Sequence, residues 1–559
     1  MAYVATPCRD GTGGATLRGT ASLPFPSEVI LVFVPLSVLD FRDRAAAYFG
    51  EKVGVVDGEI NLTYRAWAER THRLANALHD LGLQPGDRVS FITYNTHQLF
   101  EAYYGVLEAG LVLNPINIRL TPHDIAYILD HAQSKAVFFH RDFTPLVEAI
   151  LPQLSTRPVF VVMEGERGGL AEHEYEALLG GSSTEPRHPQ IDENGMAELF
   201  YTSGTTGLPK GVALSQRNLY LHALNAEIAL RFDEDDVVLH VVPLFHVNGW
   251  GVPHFVTMTG GRHVMLRKFD PVALMQHVER HGVTRLLGVP AIFNAVLHHH
   301  DRPNHDLSSL RQLIIGGSPA SPALVRALEH EIGVQAVVGY GLSETTPIVT
   351  LAQPRRVLTD AEPATRAAER QAMTGWPIPG TALRVTDSSG ADVRPDGEQI
   401  GEILVRSNTV MIGYYRDPDA TSLAIRDGWL HTGDMATLDE QGYVVIKDRS
   451  KDVIIRGGEN ISSVDVENAI AAHPAVLEVA VVAAPDERFG EAPVALVVLK
   501  PGAKATEKEL KAHCKASLAR FKVPREFHFR ESLPKGGTGK ILKAELREPF
   551  WAGMTERVH

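Results

Sequence analysis

Short apolar runs alternate with amphipathic stretches through the first two thirds of the chain. The apolar runs predict buried strands at 89–93, 136–140, 159–163, 237–242, 286–289, 313–315 and 336–338. The stretches between many of them carry helical spacing, as at 67–81 and 322–330. Because strands that alternate with helices form parallel sheets covered on both faces, this region is predicted to be a large α/β domain.

The pattern changes after Gly375, where short strands and turns dominate. The run KDRSKD at 447–452 is charged, holds no apolar residue and predicts a linker. Beyond it the pattern predicts helices at 464–472 and 506–518 and strands at 479–483 and 494–499; Thr506 and Glu509 have the spacing of a capping box. We therefore expect a large domain of residues 36–449 and a small α+β domain of residues 450–559.

Length and composition are those of an ordinary globular protein with more than one core. The chain has 559 residues, of which 44% are hydrophobic and 22% charged. Its net charge of −13 gives no basic surface of the kind that a nucleic-acid partner requires. An anionic ligand such as ATP must therefore find a local positive site.

The N-terminal segment and the two cysteines bear on location. Residues 1–35 are rich in Gly, Thr, Ala and Pro and predict an extended arm. No run reaches the length of about 18 apolar residues that a spanning helix needs. A signal peptide is the weaker alternative, which Asp10 and the lack of a small-residue cleavage pattern oppose. Cys8 and Cys514 cannot form a disulfide framework, so a cytoplasmic protein is expected.

The strongest candidate site is the string YTSGTTGLPKGV at 201–212, which leaves a predicted strand. Glycines let backbone N–H groups turn toward an anion, and hydroxyl groups and a lysine add donors. The phosphate-binding candidates are Thr202, Ser203, Gly204, Thr205, Thr206, Gly207 and Lys210. The string lacks the spacing of a Walker A loop. The alternative is a flexible surface loop.

This string resembles the signature loop of the adenylate-forming superfamily of acyl-CoA synthetases, peptide-synthetase adenylation domains and firefly-type luciferases. Further motifs that resemble that family's follow in order: GGSP at 316–319, YGLSET at 340–345 with Ser343 in place of the usual threonine, TGD at 432–434, DRSKD at 448–452, GGENI at 457–461 and PKGGTGKI at 534–541. The resemblance covers residues 38–547 and is closest to medium- and long-chain fatty acyl-CoA synthetases. It implies a mobile small domain, with ATP, Mg²⁺ and coenzyme A as ligands.

The resemblance also implies a role for each motif. Thr202–Lys210 would hold the pyrophosphate end of ATP, and Thr202 and Glu344 would bind Mg²⁺. Asp434 would accept the ribose hydroxyls beside Arg449, and Lys451 would be the hinge. The rest of the nucleotide site would be Gly317, Ser318, Pro319, Gly339, Tyr340, Gly341 and Ser343. Gly457, Gly458 and Glu459 would bind coenzyme A, and Lys540 would bridge the carboxylate and the α-phosphate. Lys540, Thr202 and Glu344 are thus the implied catalytic residues. Adenylation turns a poor electrophile into a mixed anhydride, so positioning and charge neutralisation would drive it.

The segment VVPLFHVNGW at 241–250 lies where the family builds its acyl pocket, so His246, Trp250, Gly317 and Gly341 are the acid-binding candidates. Residues 243–269 contain no Asp or Glu, and a buried substrate ammonium would be left unpaired there. An apolar carboxylic acid is therefore expected, most simply a medium- to long-chain fatty acid. The alternative is that His246 and Trp250 are plain core residues.

Other interpretations remain open from the sequence. A stand-alone adenylating enzyme could load a carrier protein or act on an aryl or short-chain acid, a light-emitting oxygenase shares the family, and a non-catalytic binding protein could retain the fold. The histidines at 298–300 and His305 invite a metal site, but a solvated helix end is the simpler interpretation. Relatives of the fatty-acid type imply a possible homodimer.

Overall fold

The computed structural model describes residues 34–202, 208–355, 373–449, 452–456, 459–486, 488–536 and 540–552. The described elements belong to the second of two compact units, Leu36–His559. Their helices are α1 (Leu39–Tyr48), α2 (Tyr64–Asp80), α3 (His97–Glu108), α4 (Pro122–Ala132), α5 (Thr144–Ile150), α6 (Tyr175–Gly180), α7 (Gln216–Leu230), α8 (Val252–Thr259), α9 (Pro271–His281), α10 (Pro290–Leu297), α11 (Pro322–Glu331), α12 (Pro418–Ala424), α13 (Ser463–Ala471), α14 (Glu507–Ser517) and α15 (Lys543–Trp551). None of these helices is long and apolar enough to cross a membrane.

Two large, mostly parallel sheets form the first part of the fold. The strands before the phosphate loop are β1 (Val53–Asp57), β2 (Ile60–Thr63), β3 (Arg88–Ile92), β4 (Val112–Pro115), β5 (Ser134–His140), β6 (Val159–Met163), β7 (His173–Glu174) and β8 (Met196–Thr202). Those after it are β9 (Lys210–Ser215), β10 (Val237–His240), β11 (Arg262–Met265), β12 (Arg285–Gly288), β13 (Gln312–Ile315), β14 (Gln335–Gly341), β15 (Ile348–Leu351) and β16 (Trp376–Pro377). The strands predicted at 89–93 through 336–338 are confirmed as β3, β5, β6, β10, β12, β13 and β14.

Strand order explains why loops of distant sequence meet. The first sheet runs β16-β15-β14-β13-β12-β10-β11-β1-β2, and its central strands are parallel. The second runs β19-β9-β8-β4-β3-β5-β6-β7, where β19 is Gly413–Tyr414. In parallel sheets the loops that follow the strands gather at one edge, where ligands bind. The loops after β13, β14 and β8 are the candidate site loops.

Three hydrophobic clusters place helices on both faces of each sheet. The largest joins the two sheets through α2, α3, α7 and α8, and all twelve residues of α3 are buried. A second cluster packs α9, α10 and α11 on the outer face of the first sheet, and a third packs α4 and α5 on the second. This layering confirms the predicted α/β class.

Two smaller sheets follow. The third contains β17 (Thr381–Thr386), β18 (Gly401–Ser407), β20 (Ile425–Arg426), β21 (Trp429–Leu438) and β22 (Val444–Arg449). The fourth contains β23 (Ile454–Arg456), β24 (Glu459–Ile461), β25 (Val476–Asp486), β26 (Gly490–Leu499) and β27 (Glu526–Phe529), and it is covered by α13 and α14 on one side and by α15 on the other. The predicted capping box of Thr506 and Glu509 starts α14.

The expected linker at 447–452 is wrong in its first half. Lys447, Asp448 and Arg449 end the strand β22, which pairs with β21 so that Arg449 lies opposite Asp434. The charged side chains are paired there: Arg449, which stays partly exposed, binds Asp434, and Lys447 binds Asp465. Ser450 and Lys451 lie outside the described residues.

Candidate active site

The phosphate-loop hairpin brings Thr202 and Lys210 together. Thr202 ends β8 and pairs with Lys210, the first residue of β9; Ser203–Gly207 between them lie outside the described residues. The ammonium of Lys210 lies 5.0 Å from the ring centroid of Tyr414, within cation–π range. The lysine is thus held at the base of the loop by a ring from β19.

Tyr414 also links this hairpin to Glu344. Its hydroxyl donates to Oε1 of Glu344 at 2.8 Å, and burial together with the charge of Glu344 raises the pKa of Tyr414. Sequence reasoning missed Tyr414, because no motif contains it. It reaches the site only through the antiparallel pairing of β19 with β9, where it lies opposite Val212.

A second cluster joins β14, β21 and β22. The hydroxyl of Tyr340 donates to Oδ2 of Asp434 at 2.7 Å, and Nε of Arg449 lies 3.1 Å from Oδ1. Burial of the phenol and the nearby Asp434 raise the pKa of Tyr340 well above its usual value. Burial opposes the charge of Arg449, but Asp434 and Tyr340 raise the pKa of its guanidinium overall. The predicted tyrosine, aspartate and arginine therefore form one contiguous surface.

Two glycines make this surface possible. Gly317, in the turn after β13, has a φ of 76°, which a residue with a Cβ rarely adopts. A Cβ at Gly341 would lie 1.9 Å from the carbonyl oxygen of Pro347, so only glycine fits. Ser318 and Pro319 continue the first turn, Gly339 precedes Tyr340 in β14, and Ser343 is buried in the short helix Ser343–Thr345.

Trp250 meets the Gly316–Gly317 turn. A Cβ at Gly316 would lie 3.2 Å from Cη2 of the indole, and one at Gly317 would lie 3.3 Å from Cζ2. Trp250 is only 8% exposed. Its indole is therefore a buried side chain that packs on the Gly316–Gly317 turn.

Lys540 lies close enough to His246, Arg449 and Asp434 for their charges to interact. Surrounding protein and the charge of Arg449 lower the pKa of Lys540 to about 8, against the opposing effect of Asp434. The residue still reaches solvent, so water offsets part of this effect. Burial and the charge of Lys540 lower the pKa of His246 to about 4, so the imidazole is neutral at pH 7. The structure thus gathers Lys540 with Asp434, Arg449 and His246.

The remaining candidates lie outside the described residues or at the surface. Gly457, Gly458 and the expected hinge Lys451 lie outside the described residues, and Glu459 is exposed in β24. His299, His300 and Asp301 have possible ligand atoms within 4.8 Å of one another, but they follow the end of α10 at the surface. This placement agrees with a solvated helix end.

Comparisons with known proteins decide the family. The model of the AMP-binding enzyme family matches residues 41–415, and that of its C-terminal domain matches residues 465–540. The chain belongs to the AMP-binding enzyme family. The resemblance to adenylate-forming enzymes that the sequence motifs indicated is therefore confirmed.

Relatives within the AMP-binding enzyme family are CoA ligases for different acids. The chain is 42% identical to a long-chain-fatty-acid–CoA ligase of Thermus thermophilus, over 96% of this chain and 99% of that protein. It is 37% identical to a 3-methylmercaptopropionyl-CoA ligase of Ruegeria lacuscaerulensis, over 93% and 98%. The crystal structure of the anthranilate CoA ligase AuaEII in complex with anthranoyl-AMP superposes with a TM-score of 0.85 at 27% identity, covering 93% of this chain and 98% of that one. The protein is an AMP-forming acid–CoA ligase.

Proposed function

We propose that this ligase activates a medium- to long-chain fatty acid, forming an acyl-adenylate and pyrophosphate and then acyl-CoA and AMP. The observation that carries the proposal concerns Trp250. This residue belongs to segment 243–269, which has no acidic residue, and its indole packs on the Gly316–Gly317 turn. A charged substrate tail would find no carboxylate partner in that segment. The Thermus relative, whose name gives a long-chain fatty acid, adds support.

Carboxylates from elsewhere do reach this segment: Asp57 and Glu164 bind Arg267 near its end, and Glu198 contacts the part around Trp250. Glu198 on β8 is fully buried, and its two oxygens contact Asn248 and His254. Because both oxygens are already engaged within the core, Glu198 is not available to a substrate ammonium. It leaves the case for an apolar acid intact.

For ATP, we propose that Tyr340 stacks on the adenine and that Asp434 accepts both ribose hydroxyls beside Arg449. The loop 202–210, Lys210 included, would hold the leaving pyrophosphate. Tyr414 would keep Lys210 and Glu344 in register, since its ring contacts the lysine and its hydroxyl binds the glutamate.

The donors at Glu344 fit Mg²⁺. A carboxylate that accepts one hydrogen bond, as Glu344 does from Tyr414, keeps further oxygen lone pairs for a hard cation. Thr202 at the end of β8 would supply a second oxygen. When bound, Mg²⁺ would neutralise charge on the phosphates.

Lys540 would act while the anhydride forms. A carboxylate oxygen attacks the α-phosphorus of ATP, the new O–P bond forms, and the bond to the pyrophosphate oxygen breaks. Two anions must approach each other in this step, so a compact ammonium between them lowers the barrier. In the second step the thiol sulfur of coenzyme A attacks the acyl carbon and AMP leaves. We assign Gly457, Gly458 and Glu459 to that step, reached by rotation at Lys451.

A second candidate is a ligase for a short-chain or aryl acid, or one that loads a carrier protein. The relatives named for 3-methylmercaptopropionyl-CoA and anthranilate favour a ligase for a short-chain or aryl acid over one that loads a carrier protein. The size of the acid therefore has to be measured.

The test is a panel of acids from short to long chain, with benzoate and an α-amino acid, incubated with ATP and Mg²⁺ with and without coenzyme A. We expect AMP and pyrophosphate in equal amounts, coenzyme-A-dependent thioester, and the highest kcat/KM for an unbranched fatty acid. A preference for benzoate or for short acids would overturn the proposed substrate. Stoichiometric ADP would overturn the reaction itself.

A further inference from the structure

A buried glutamate outside the proposed chemistry lies beneath the turn that carries Trp250. Glu198 belongs to β8, four positions before Thr202. Its Oε2 accepts a hydrogen bond from Nδ2 of Asn248 at 3.3 Å, and its Oε1 lies 3.3 Å from Nε2 of His254. Glu198 thus contacts the turn at Asn248 and the first helical residues after it at His254.

The turn has an unusual backbone. All residues of Val247–Gly251 have positive φ, and three of them carry a side chain: Val247 at 26°, Asn248 at 43° and Trp250 at 62°. Such conformations are disfavoured for residues with a Cβ and persist only where the surrounding structure holds them. The conformation of this turn therefore depends on its contacts.

Glu198 is the acidic side chain among those contacts. Asn248, His254 and Glu198 are each at most 1% exposed. Oδ1 of Asn248 and Nδ1 of His254 have no hydrogen-bond partner among the described residues. Among the described residues, the hydrogen bonds to Glu198 are therefore the side-chain bonds that connect Asn248 and His254 to the second sheet.

The position of the turn fixes the position of the indole. Trp250 lies two residues after Asn248 and four before His254, and its ring rests on Gly316 and Gly317. A shift of the turn would move the indole along the Gly316–Gly317 backbone and change the space beside it. A buried shift of this kind alters pocket shape without touching the nucleotide contacts at Tyr340 and Asp434.

We propose that Glu198 is a positioning residue for acid selection: it holds the Val247–Gly251 turn, and through it Trp250, in the conformation that shapes the acid pocket. The proposal rests on the proposed function, in which Trp250 lines that pocket. The competing explanation is that Glu198 only stabilises the core, as Glu101 does when it binds Arg70 and Tyr175.

The test compares Glu198→Gln with Glu101→Gln, because both glutamates are fully buried. A glutamine at 198 offers one acceptor oxygen and one N–H₂ donor in place of two acceptor oxygens. Either one hydrogen bond is therefore lost, or the imidazole of His254 changes tautomer and is left with an N–H at Nδ1 that has no partner among the described residues. We expect kcat/KM for the best acid to fall about tenfold or more and the chain-length optimum to move, with the KM for ATP little changed. Glu101→Gln should lower the melting temperature and leave the acid profile as in the wild type.

Two further variants keep the test decisive if Glu198→Gln folds poorly. Glu198→Gln combined with Asn248→Asp exchanges donor and acceptor and should restore the acid profile. Asn248→Gly relieves the backbone but removes the hydrogen bond, so the protein should fold and show the altered acid profile. An unchanged acid profile in Asn248→Gly, or no rescue in a folded double variant, would overturn the proposal.

Intrinsic fluorescence separates this inference from the proposed function. The difference between wild type and Trp250→Phe isolates the emission of that indole. We expect Glu198→Gln to shift this difference spectrum and Glu101→Gln to leave it in place, whether or not any acid in the panel is a substrate. An identical difference spectrum in Glu198→Gln would show that the glutamate does not position Trp250.

Discussion

At the residue scale, Trp250 tests where the acid binds. Trp250→Ala removes a buried ring that in a core would contribute about 3–5 kcal/mol, and it opens space beside the Gly316–Gly317 turn. We expect the preference among acids to move to bulkier or longer chains, while the KM for ATP changes much less. Steady-state kinetics over the acid panel measure both. If the variant keeps the wild-type profile, Trp250 is a structural residue only.

The charge of Lys540 predicts a pH dependence. The surrounding protein and Arg449 lower the pKa of Lys540 to about 8, so the ammonium that we propose acts in adenylation is present below that pH and lost above it. We expect kcat/KM for ATP in the adenylation step, which reports the free enzyme, to fall as the pH rises through 8. Bound triphosphate stabilises the ammonium, so kcat should fall only at higher pH.

The control for this profile is thioester formation from supplied acyl-adenylate and coenzyme A, which does not use the ammonium of Lys540. That step should lack the decline near pH 8. A shared decline in both half-reactions would assign the titration to another group.

At the element scale, a buried ion network joins β1 to the start of α3. Nδ1 of His97 lies 2.8 Å from Oδ2 of Asp57, and Arg267 binds the same carboxylate at 3.0 Å. Burial disfavours both charges. The hydrogen bonds from His97 and Arg267 nevertheless lower the pKa of Asp57 to about 2, and those to Asp57 and Glu176 raise the pKa of His97 to about 9.

These shifts predict how the melting temperature varies with pH. Because its pKa is raised, protonated His97 contributes its full stabilisation below the ordinary histidine pKa of 6.5. This stabilisation is lost as the pH rises through 9. The lowered pKa of Asp57 stabilises the fold above 3.8 and is lost as the pH falls toward 2. We expect His97→Gln to flatten the decline of the melting temperature between pH 6.5 and 9, and calorimetry measures it. His123→Gln, at an exposed position of α4, is the control, and an alkaline decline unchanged in His97→Gln would contradict the assignment.

Elements with a local signal could be predicted from the sequence, and contacts between distant elements could not. The apolar runs gave β3, β5, β12 and β13 because a buried parallel strand is apolar throughout. The end of β22 at 447–449 could not be predicted as strand, because Lys447 and Arg449 pair with acidic residues elsewhere in the chain. Tyr414 and Glu198 carry no motif, and the left-handed backbone of Val247–Gly251 leaves no trace in the segment that contains it, so each becomes visible only when two elements pack together.

At the scale of the whole molecule, the site is assembled from sheets that are far apart in sequence. The phosphate hairpin comes from the second sheet, Tyr340 from the first, Asp434 and Arg449 from the third, and Lys540 from the segment after the fourth. In the proposed mechanism Tyr340, Asp434 and Arg449 bind the nucleotide in both half-reactions, whereas the β8–β9 hairpin and Lys540 act in adenylation alone. This division of labour between the two half-reactions is the central claim.

The most direct measurement is of the two half-reactions in one purified, folded Lys540→Ala protein. We expect adenylation, measured as the release of pyrophosphate, to slow by about several orders of magnitude, because positioning and charge neutralisation together supply several kcal/mol. Lys540→Arg should not restore it, since a planar guanidinium does not replace a compact ammonium. Given acyl-adenylate and coenzyme A, the Lys540→Ala protein should form thioester at close to the wild-type rate. Equal loss of both half-reactions would contradict the account.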